Sequence, residues 1–335
     1  MNIAIVGATG NVGRKTLEVL EKKDLSIDSL YLLASSKSVG KKISFKGVQH
    51  EIHDLESFDF SKVKICFFAA GGKISEKFAE KVAKNCLVID NSSHFRMDPD
   101  VPLVVPQVNS EDLKNINKNI IANPNCSTAQ LVIVLKPLHD LFSIKRIVVS
   151  TYQSVSGGGK ASMDELIEQT KLALEGKKFK SKNFTKQIAF NAIPQIDTFS
   201  DGGYTKEELK MTNETKKILD DKIDLTATCV RLPISVSHSE SVNIQFEKPF
   251  SIEKVKEALN NFDGCKVVDE RVDGGYSTPV EAEGKDETFI SRIREDNTIK
   301  NGLNLWIVSD NLLRGAALNS VEIAEELIKN NFYGK

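Results

Sequence analysis

Seven residues near the N-terminus, GATGNVG from Gly7 to Gly13, constrain the fold more than any other part of the chain. An apolar run, Asn2 to Val6, leads directly into them, and apolar residues at helical spacing, through Leu17 and Leu20, follow. The pattern is a strand, a tight glycine turn and the opening of a helix. Glycines permit such a turn and let backbone N–H groups come close to a pyrophosphate at the helix N-terminus. Gly7, Thr9, Gly10, Asn11, Val12 and Gly13 are therefore candidate dinucleotide contacts. The spacing is G-x-x-G-x-x-G where the usual fingerprint is G-x-G-x-x-G, so a ligand-free glycine turn stays open as a second reading at this point.

The first half continues the alternation. Short apolar strands at Leu30 to Ala34, Ile65 to Ala70 and Leu87 to Ile89 are separated by an amphipathic segment at Ile74 to Ala83. This alternation predicts βαβ units and a doubly wound, Rossmann-type parallel sheet with helices on both faces. After Cys126 the strands lengthen (Ile144 to Val155, Leu225 to Leu232, Val242 to Phe246, Phe289 to Ile293, Leu303 to Val308) and polar loops intervene, which predicts an α+β domain on a larger mixed or antiparallel sheet. Helical spacing returns from Leu312 to Ile328. The expected division is a dinucleotide-binding domain over 1–125, a second domain over 126–311, and a C-terminal helix within 312–335 that packs back onto the first.

At 335 residues with 40% hydrophobic content, the chain has material for about two folded domains. With 45 basic against 46 acidic residues, nothing in the charge balance suggests a nucleic-acid partner, and a small molecule is the expected one. The lysine-rich GKKFKSK, Gly176 to Lys182, reads as a solvated loop. Five dispersed cysteines form no C-x-x-C pair to hold a metal and suit a reducing cytoplasm. No apolar run approaches the roughly 18 residues that a membrane span needs.

The end of the second strand bears on which nicotinamide cofactor would bind. An acidic residue there usually holds the ribose 2′-hydroxyl of NAD, but this chain has Ser35, Ser36 and Lys37 in LASSKSVGKK. Hydroxyls and a cation suit a 2′-phosphate, which favours NADP; an ordinary polar turn is the other reading.

NPNCSTAQ, Asn123 to Gln130, carries the chemistry. The extended NIIAN gives way after Pro124 to Leu131, Val132, Leu135 and Leu138 at helical spacing, which places Cys126 at a helix N-terminus. There the helix dipole and free N–H groups favour a thiolate and can hold an oxyanion beside it. Cys126 is a candidate nucleophile, or else the small buried hydrophobe that most unpaired cysteines are. A nucleophile attacking a carbonyl needs a proton shuttle. His50, His53 and His139 sit in polar or helical settings, and His94 has no visible partner. His238, in CVRLPISVSHSE, lies seven positions after Arg231. In one straight strand the two would face opposite ways, about 23 Å apart. They share a site only if the chain bends, and Pro233 is a candidate interruption.

Taken in order, GATGNVG, LASSKSVGKK, NSSHFRMDPDVPLVVPQVN, NPNCSTAQ, YQSVSGGG, NETKKIL, CVRLPISVSHSE and DNLLRGAALNS resemble the aspartate-β-semialdehyde dehydrogenase family over nearly the whole chain. The resemblance implies NADPH-dependent conversion of L-aspartyl 4-phosphate to the semialdehyde, on the biosynthetic route to lysine, threonine and methionine. It implies Cys126 as nucleophile, His238 as acid/base, and Asn125 and Gln153 at the reacting carbonyl. By the same resemblance Arg231 takes the α-carboxylate, Glu214 lies near the ammonium, and Arg96 and Lys217 receive phosphate. Gly71, Gly72, Ser156, Gly157, Gly158 and Asn311 match positions that approach the cofactor, and the second domain becomes a catalytic and dimerisation domain of a homodimer or homotetramer. Glu214 and Lys217 have i, i+3 spacing in a helix expected over Lys206 to Leu219, which puts both on one face. Three positions depart from the family's usual wording: His94, Gln107 and Glu322. N-acetyl-γ-glutamyl-phosphate reductase is the runner-up, although its substrate has no ammonium for Glu214 to meet; an inactive NADP-binding regulator is a third reading.

Overall fold

The computed structural model describes residues 1–23 and 25–332; Asp24 and residues 333–335, the last of the expected C-terminal segment, lie outside the described residues. The chain divides into two compact units, Met1–Asn125 with Ala316–Lys335, and Cys126–Gly315, so residues 312–315 fall in the second.

The first unit is built on a seven-stranded sheet. Its strands are β1 (Asn2–Val6), β2 (Ser29–Ala34), β3 (Lys42–Phe45), β4 (Val48–Asp54), β5 (Ile65–Phe68), β6 (Leu87–Asp90) and β7 (Ile120–Ala122), in the spatial order β3-β4-β2-β1-β5-β6-β7. All neighbouring pairs are parallel except the hairpin β3–β4 at the edge. Central strands buried on both faces should be apolar throughout. NIAIV and ICFF meet that requirement, with Ile3, Ile5, Phe67 and Phe68 fully buried. The hairpin was not expected. Its second strand, VQHEIHD, has a single buried residue, Ile52, and therefore no periodic signal; the turn at Lys46 and Gly47 takes positive φ at both positions.

Helix α1 (Asn11–Lys22) leaves the glycine turn, and α2 (Gly72–Ala83) follows β5. A short α3 (Pro106–Asn109) precedes β7. The closing helix, Leu318–Lys329, belongs to this unit: Asn319 donates to the Val104 carbonyl at 2.9 Å and to Asn123 Oδ1 at 2.7 Å, and Lys23 pairs with Glu325 at 2.9 Å. Two departures from the family wording meet here, because Gln107 Nε2 donates to Glu322 at 3.1 Å.

The second unit begins with α4 (Cys126–Phe142) and β8 (Ile144–Gln153), then α5 (Lys160–Leu174), α6 (Lys206–Ile218), β9 (Asp224–Arg231) and β10 (His238–Phe246). It ends with α7 (Ile252–Asn260), β11 (Cys265–Val267), α8 (Pro279–Ala282), β12 (Thr288–Asp296) and β13 (Gly302–Ser309). Its six strands are ordered β11-β12-β13-β10-β8-β9, and the sheet is mixed: β8–β9 and β11–β12 are parallel, the other pairs antiparallel. Helices α4, α6 and α7 cover one face, where Leu131, Leu135, Val149, Val242 and Leu305 make the core. The other face presents Ser150, Tyr152, Ser241 and Trp306, exposed or half-buried. Among the described residues no helix is long and apolar enough to cross a membrane.

Register explains how the site assembles. Gln153 at the end of β8 pairs with Arg231 at the end of β9, Tyr152 pairs with Ser239, and His238 at the start of β10 pairs with Ser309. The ends of β8 and β9 and the start of β10 thus meet at one end of the strands. The chain turns between Arg231 and His238, within a stretch that includes Pro233, but the turn separates two strands and does not bend one. Arg231 and His238 stand on separate strands with β8 between them, and residues 232–237 carry the chain across.

Candidate active site

In the first unit, β1 sits where consecutive strands depart to opposite sides, β2 to one and β5 to the other, and a doubly wound sheet binds its ligand at such a switch point. The glycine turn leaves β1 there. Gly7 has φ +85°, and a Cβ on it would fall 2.6 Å from the Ala69 carbonyl oxygen; on Gly13 it would fall 2.3 Å from the Gly7 oxygen. Both positions need glycine. A cavity of about 560 Å³ opens beside the turn, with Gly7, Thr9, Gly10, Ser35, Ser36 and Asp54 among its walls. Gly10 is the N-cap of α1, so Asn11 and Val12 form the helix's first turn. Lys37 lies in a one-turn helix, Ser36–Ser38, exposed and outside the cavity walls, while Gly71 caps α2, which Gly72 opens. Asp54 and a Glu56–Lys77 ion pair at 2.7 Å stand on the same cavity and were missed, because β4 was not legible as a strand.

In the second unit, Cys126 is the first residue of α4, half-buried at the helix N-terminus. Burial holds the Cys66 and Cys229 thiols well above the ordinary range and pushes Cys265 up to about 12. Those three are poor thiolates, as structural cysteines are. A π-helical turn, Leu313–Ala317, presses on Cys126: a Cβ at Gly315 would stand 2.5 Å from the Cys126 Cβ. Gly315→Ala must therefore displace the turn or the helix start. We expect kcat to fall about 100-fold, from a displacement near 1 Å, with a smaller change in thermal stability. Wild-type kcat in that variant would show that the contact relaxes without moving the sulfur.

His238 is fully buried. Its Nδ1 lies 3.1 Å from both the backbone nitrogen and the hydroxyl oxygen of Ser154, while Nε2 is buried with no hydrogen-bond partner among the described residues. Burial first, and the Arg231 cation second, push its pKa down to about 3, so the ring is neutral at physiological pH. Arg231 and His238 converge on Gly157, whose Cβ would stand 3.2 Å from Arg231 Nη1 and 3.3 Å from His238 Nε2. The Arg231 guanidinium donates to the Ser154 carbonyl and lies within electrostatic reach of Cys126. Gln153 is buried, receives the Thr151 hydroxyl at 3.0 Å and donates to Glu207 at 3.0 Å. Asn311 Oδ1 accepts from Ser156, Ser154 and the Ser237 N–H at 2.9–3.1 Å. A Cβ on Gly158 would meet the Ser162 hydroxyl at 2.5 Å.

Glu214, buried, and Lys217, half-buried, both ride on α6, which packs against β9 and α4. Arg96, which alone would pass for a surface arginine, is instead buried in the first unit and holds the carbonyls of Asn123 at 2.9 Å and Asn91 at 3.0 Å. It thereby braces the loop that ends in Asn125, also buried, next to Cys126 in sequence. Ser154 and Glu207, which carry much of the local bonding, were not singled out from sequence. Hydroxyls and acids on amphipathic elements give no signal until the strands are in register.

A Rossmann-type unit, a half-buried cysteine at a helix start and a neutral histidine at the start of an interior strand fit the semialdehyde dehydrogenase class. Residues 2–116 match the family described as semialdehyde dehydrogenase, NAD binding domain, and residues 135–314 its dimerisation domain. The chain is 51% identical to the aspartate-semialdehyde dehydrogenase of Aquifex aeolicus, covering 98% of each. A crystal structure of aspartate semialdehyde dehydrogenase II from Vibrio cholerae, complexed with ASA, superposes with a TM-score of 0.96 at 48% identity over 98% of each chain. The Candida albicans enzyme with NADP matches at 0.75 and 25% identity over 99% of each chain. The chain belongs to the aspartate-semialdehyde dehydrogenase family. It is an oxidoreductase whose first domain is of the nicotinamide-cofactor-binding kind.

Proposed function

We propose that the chain catalyses NADPH-dependent reductive dephosphorylation of L-aspartyl 4-phosphate through a thioester on Cys126. The observation that carries this reading is the half-buried cysteine at the first position of α4, with Arg231 in electrostatic reach and, at the same end of the strands, a buried His238 Nε2 with no hydrogen-bond partner among the described residues. Cys126 thiolate attacks the acyl phosphate carbonyl, the oxyanion is held by His238 with Gln153 and Asn125, and phosphate leaves toward Arg96 and Lys217. Arg231 takes the α-carboxylate as a planar fork and Glu214 meets the ammonium. Nicotinamide supplies the reducing equivalent when bound. Gly7, Gly10, Gly13 and the first turn of α1 are the groups that would hold its pyrophosphate, a fit supported by the two glycines that no side chain could replace.

NADP is the preferred form in this reading. Ser35 and Ser36 line the cavity and Lys37 adjoins it in sequence, a set that suits a 2′-phosphate. Asp54 on the same wall favours a plain ribose hydroxyl and makes NAD the competitor. Ser36→Asp adds a carboxylate, so the KM for NADPH should rise at least about tenfold while that for NADH changes little, given the like-charge cost near a phosphate. Equal changes for both cofactors would remove Ser36 from the phosphate site. The half-exposed face of the six-stranded sheet offers the surface for a second copy in a homodimer, and the chain would work in the cytoplasm.

A further inference from the structure

We propose that Glu207 is a positioning residue for Gln153: its carboxylate, held by Lys210, fixes the amide so that the Nε2 end serves the reacting carbonyl and the Oε1 end turns to Thr151. The inference rests on the reading above, in which Gln153 helps to hold the oxyanion formed at Cys126.

The two oxygens of Glu207 have different partners. Oε1 accepts from Gln153 Nε2 at 3.0 Å, and Oε2 accepts from Lys210 Nζ at 3.2 Å. Lys210 is anchored in turn by Asp197 Oδ2 at 3.0 Å. Glu207 is buried in the first turn of α6, where the helix dipole favours negative charge. Burial opposes the charge on Lys210, but Glu207 and then Asp197 raise its pKa above the ordinary lysine value. A carboxylate between a helix N-terminus and an ammonium is held in its charged form.

Such a carboxylate can only accept. Gln153 therefore turns its NH₂ to Glu207, and its Oε1 is left to the Thr151 hydroxyl, which donates to it at 3.0 Å. Thr151 and Gln153, two apart on β8, share a face with the core residue Val149, so both point toward the helices. From Lys210 through Glu207 and Gln153 to Thr151, every hydrogen bond sets one donor against one acceptor. Glu207 takes one of the two Nε2 protons, and the other has no acceptor among the described residues. A buried N–H left so is costly, and a substrate oxygen satisfies it.

In Glu207→Gln the new side chain fills the same space and breaks the order. Its single oxygen goes to the Lys210 ammonium, because that bond is charge-assisted, and its NH₂ then faces Gln153. Gln153 must present its own oxygen there, and a lone pair replaces the N–H at the reacting carbonyl. Removing the Lys210 charge as well lets the new amide turn its oxygen back to Gln153.

The test uses the full-length enzyme. Glu207→Gln should lower kcat with aspartate semialdehyde about 100-fold, the scale of one oxyanion donor, with KM little changed because Arg231 and Glu214 are untouched. Adding Lys210→Met to Glu207→Gln should recover at least about tenfold of that loss, whereas damage to packing would deepen with a second substitution. An unchanged kcat, a change confined to KM, or a double variant no faster than Glu207→Gln overturns the proposal. NMR spectra of enzyme labelled with ¹⁵N in its glutamine side chains give an independent readout, with Gln153 assigned by its loss in Gln153→Met. One Nε2 proton should stand downfield, as a proton held by a carboxylate does, and move upfield in Glu207→Gln. A signal that does not move overturns the lock whatever the chemistry at Cys126. Failure of the wild-type enzyme to form a Cys126 thioester would instead sink the underlying reading, and the spectra would still report which end of the amide Glu207 holds.

Discussion

Cys126→Ala should lower turnover by at least about 10⁴-fold, the scale seen when a covalent nucleophile is removed, while nicotinamide nucleotide still binds. The expectation is this large because no other thiol can take over. Cys229 and Cys265, the other cysteines of the second unit, have thiols raised by burial, and Cys66 and Cys86 lie buried in the first unit. Cofactor affinity should survive, since the glycine turn and its cavity are built from residues of the first unit alone. Mass spectrometry of wild-type enzyme quenched with aspartyl phosphate, in the absence of reductant, should find the aspartyl mass on the peptide containing Cys126. Substantial turnover in the alanine variant, or label on another side chain, would end the thioester scheme.

Periodicity gave the architecture where burial is two-sided or helical. NIAIV and ICFF could only be central strands, and the run from Leu131 to Leu138 only a buried helix, so the nucleotide-type sheet and the position of Cys126 followed from residue order. The β3–β4 hairpin did not follow, because strands with one buried residue each, Phe45 and Ile52, have no apolar alternation to betray them. The convergence of Arg231 with His238 was illegible for a different reason. The sequence showed that the chain must bend and offered Pro233 as the break, but not that β8 lies between the two strands and that register brings their ends together. Long-range pairing of this kind is fixed by tertiary packing and leaves no local trace. The buried polar set of Ser154, Gln153 and Glu207 belongs to the same class: each residue is ordinary in its own segment and becomes meaningful only beside its partner.

Arg231→Lys carries the second large effect, and its size follows from two uses of one guanidinium. In the proposed complex the fork takes both oxygens of the substrate α-carboxylate, which a lysine ammonium cannot match. In the protein itself, Arg231 also donates to the Ser154 carbonyl, and Ser154 is the residue whose N–H and hydroxyl meet His238. Loss of the first use should weaken only substrates that carry the carboxylate; loss of the second should slow every substrate alike. We expect kcat/KM for aspartate semialdehyde to fall about 10²- to 10³-fold, on the scale of two charge-assisted hydrogen bonds. For 3-aminopropanal, the same aldehyde without its carboxylate, wild-type activity should already be low and the further loss in the variant under about tenfold, since only the Ser154 contact remains to be lost. An equal fold-loss for the two aldehydes would assign Arg231 entirely to the scaffold behind His238 and leave the carboxylate to another group.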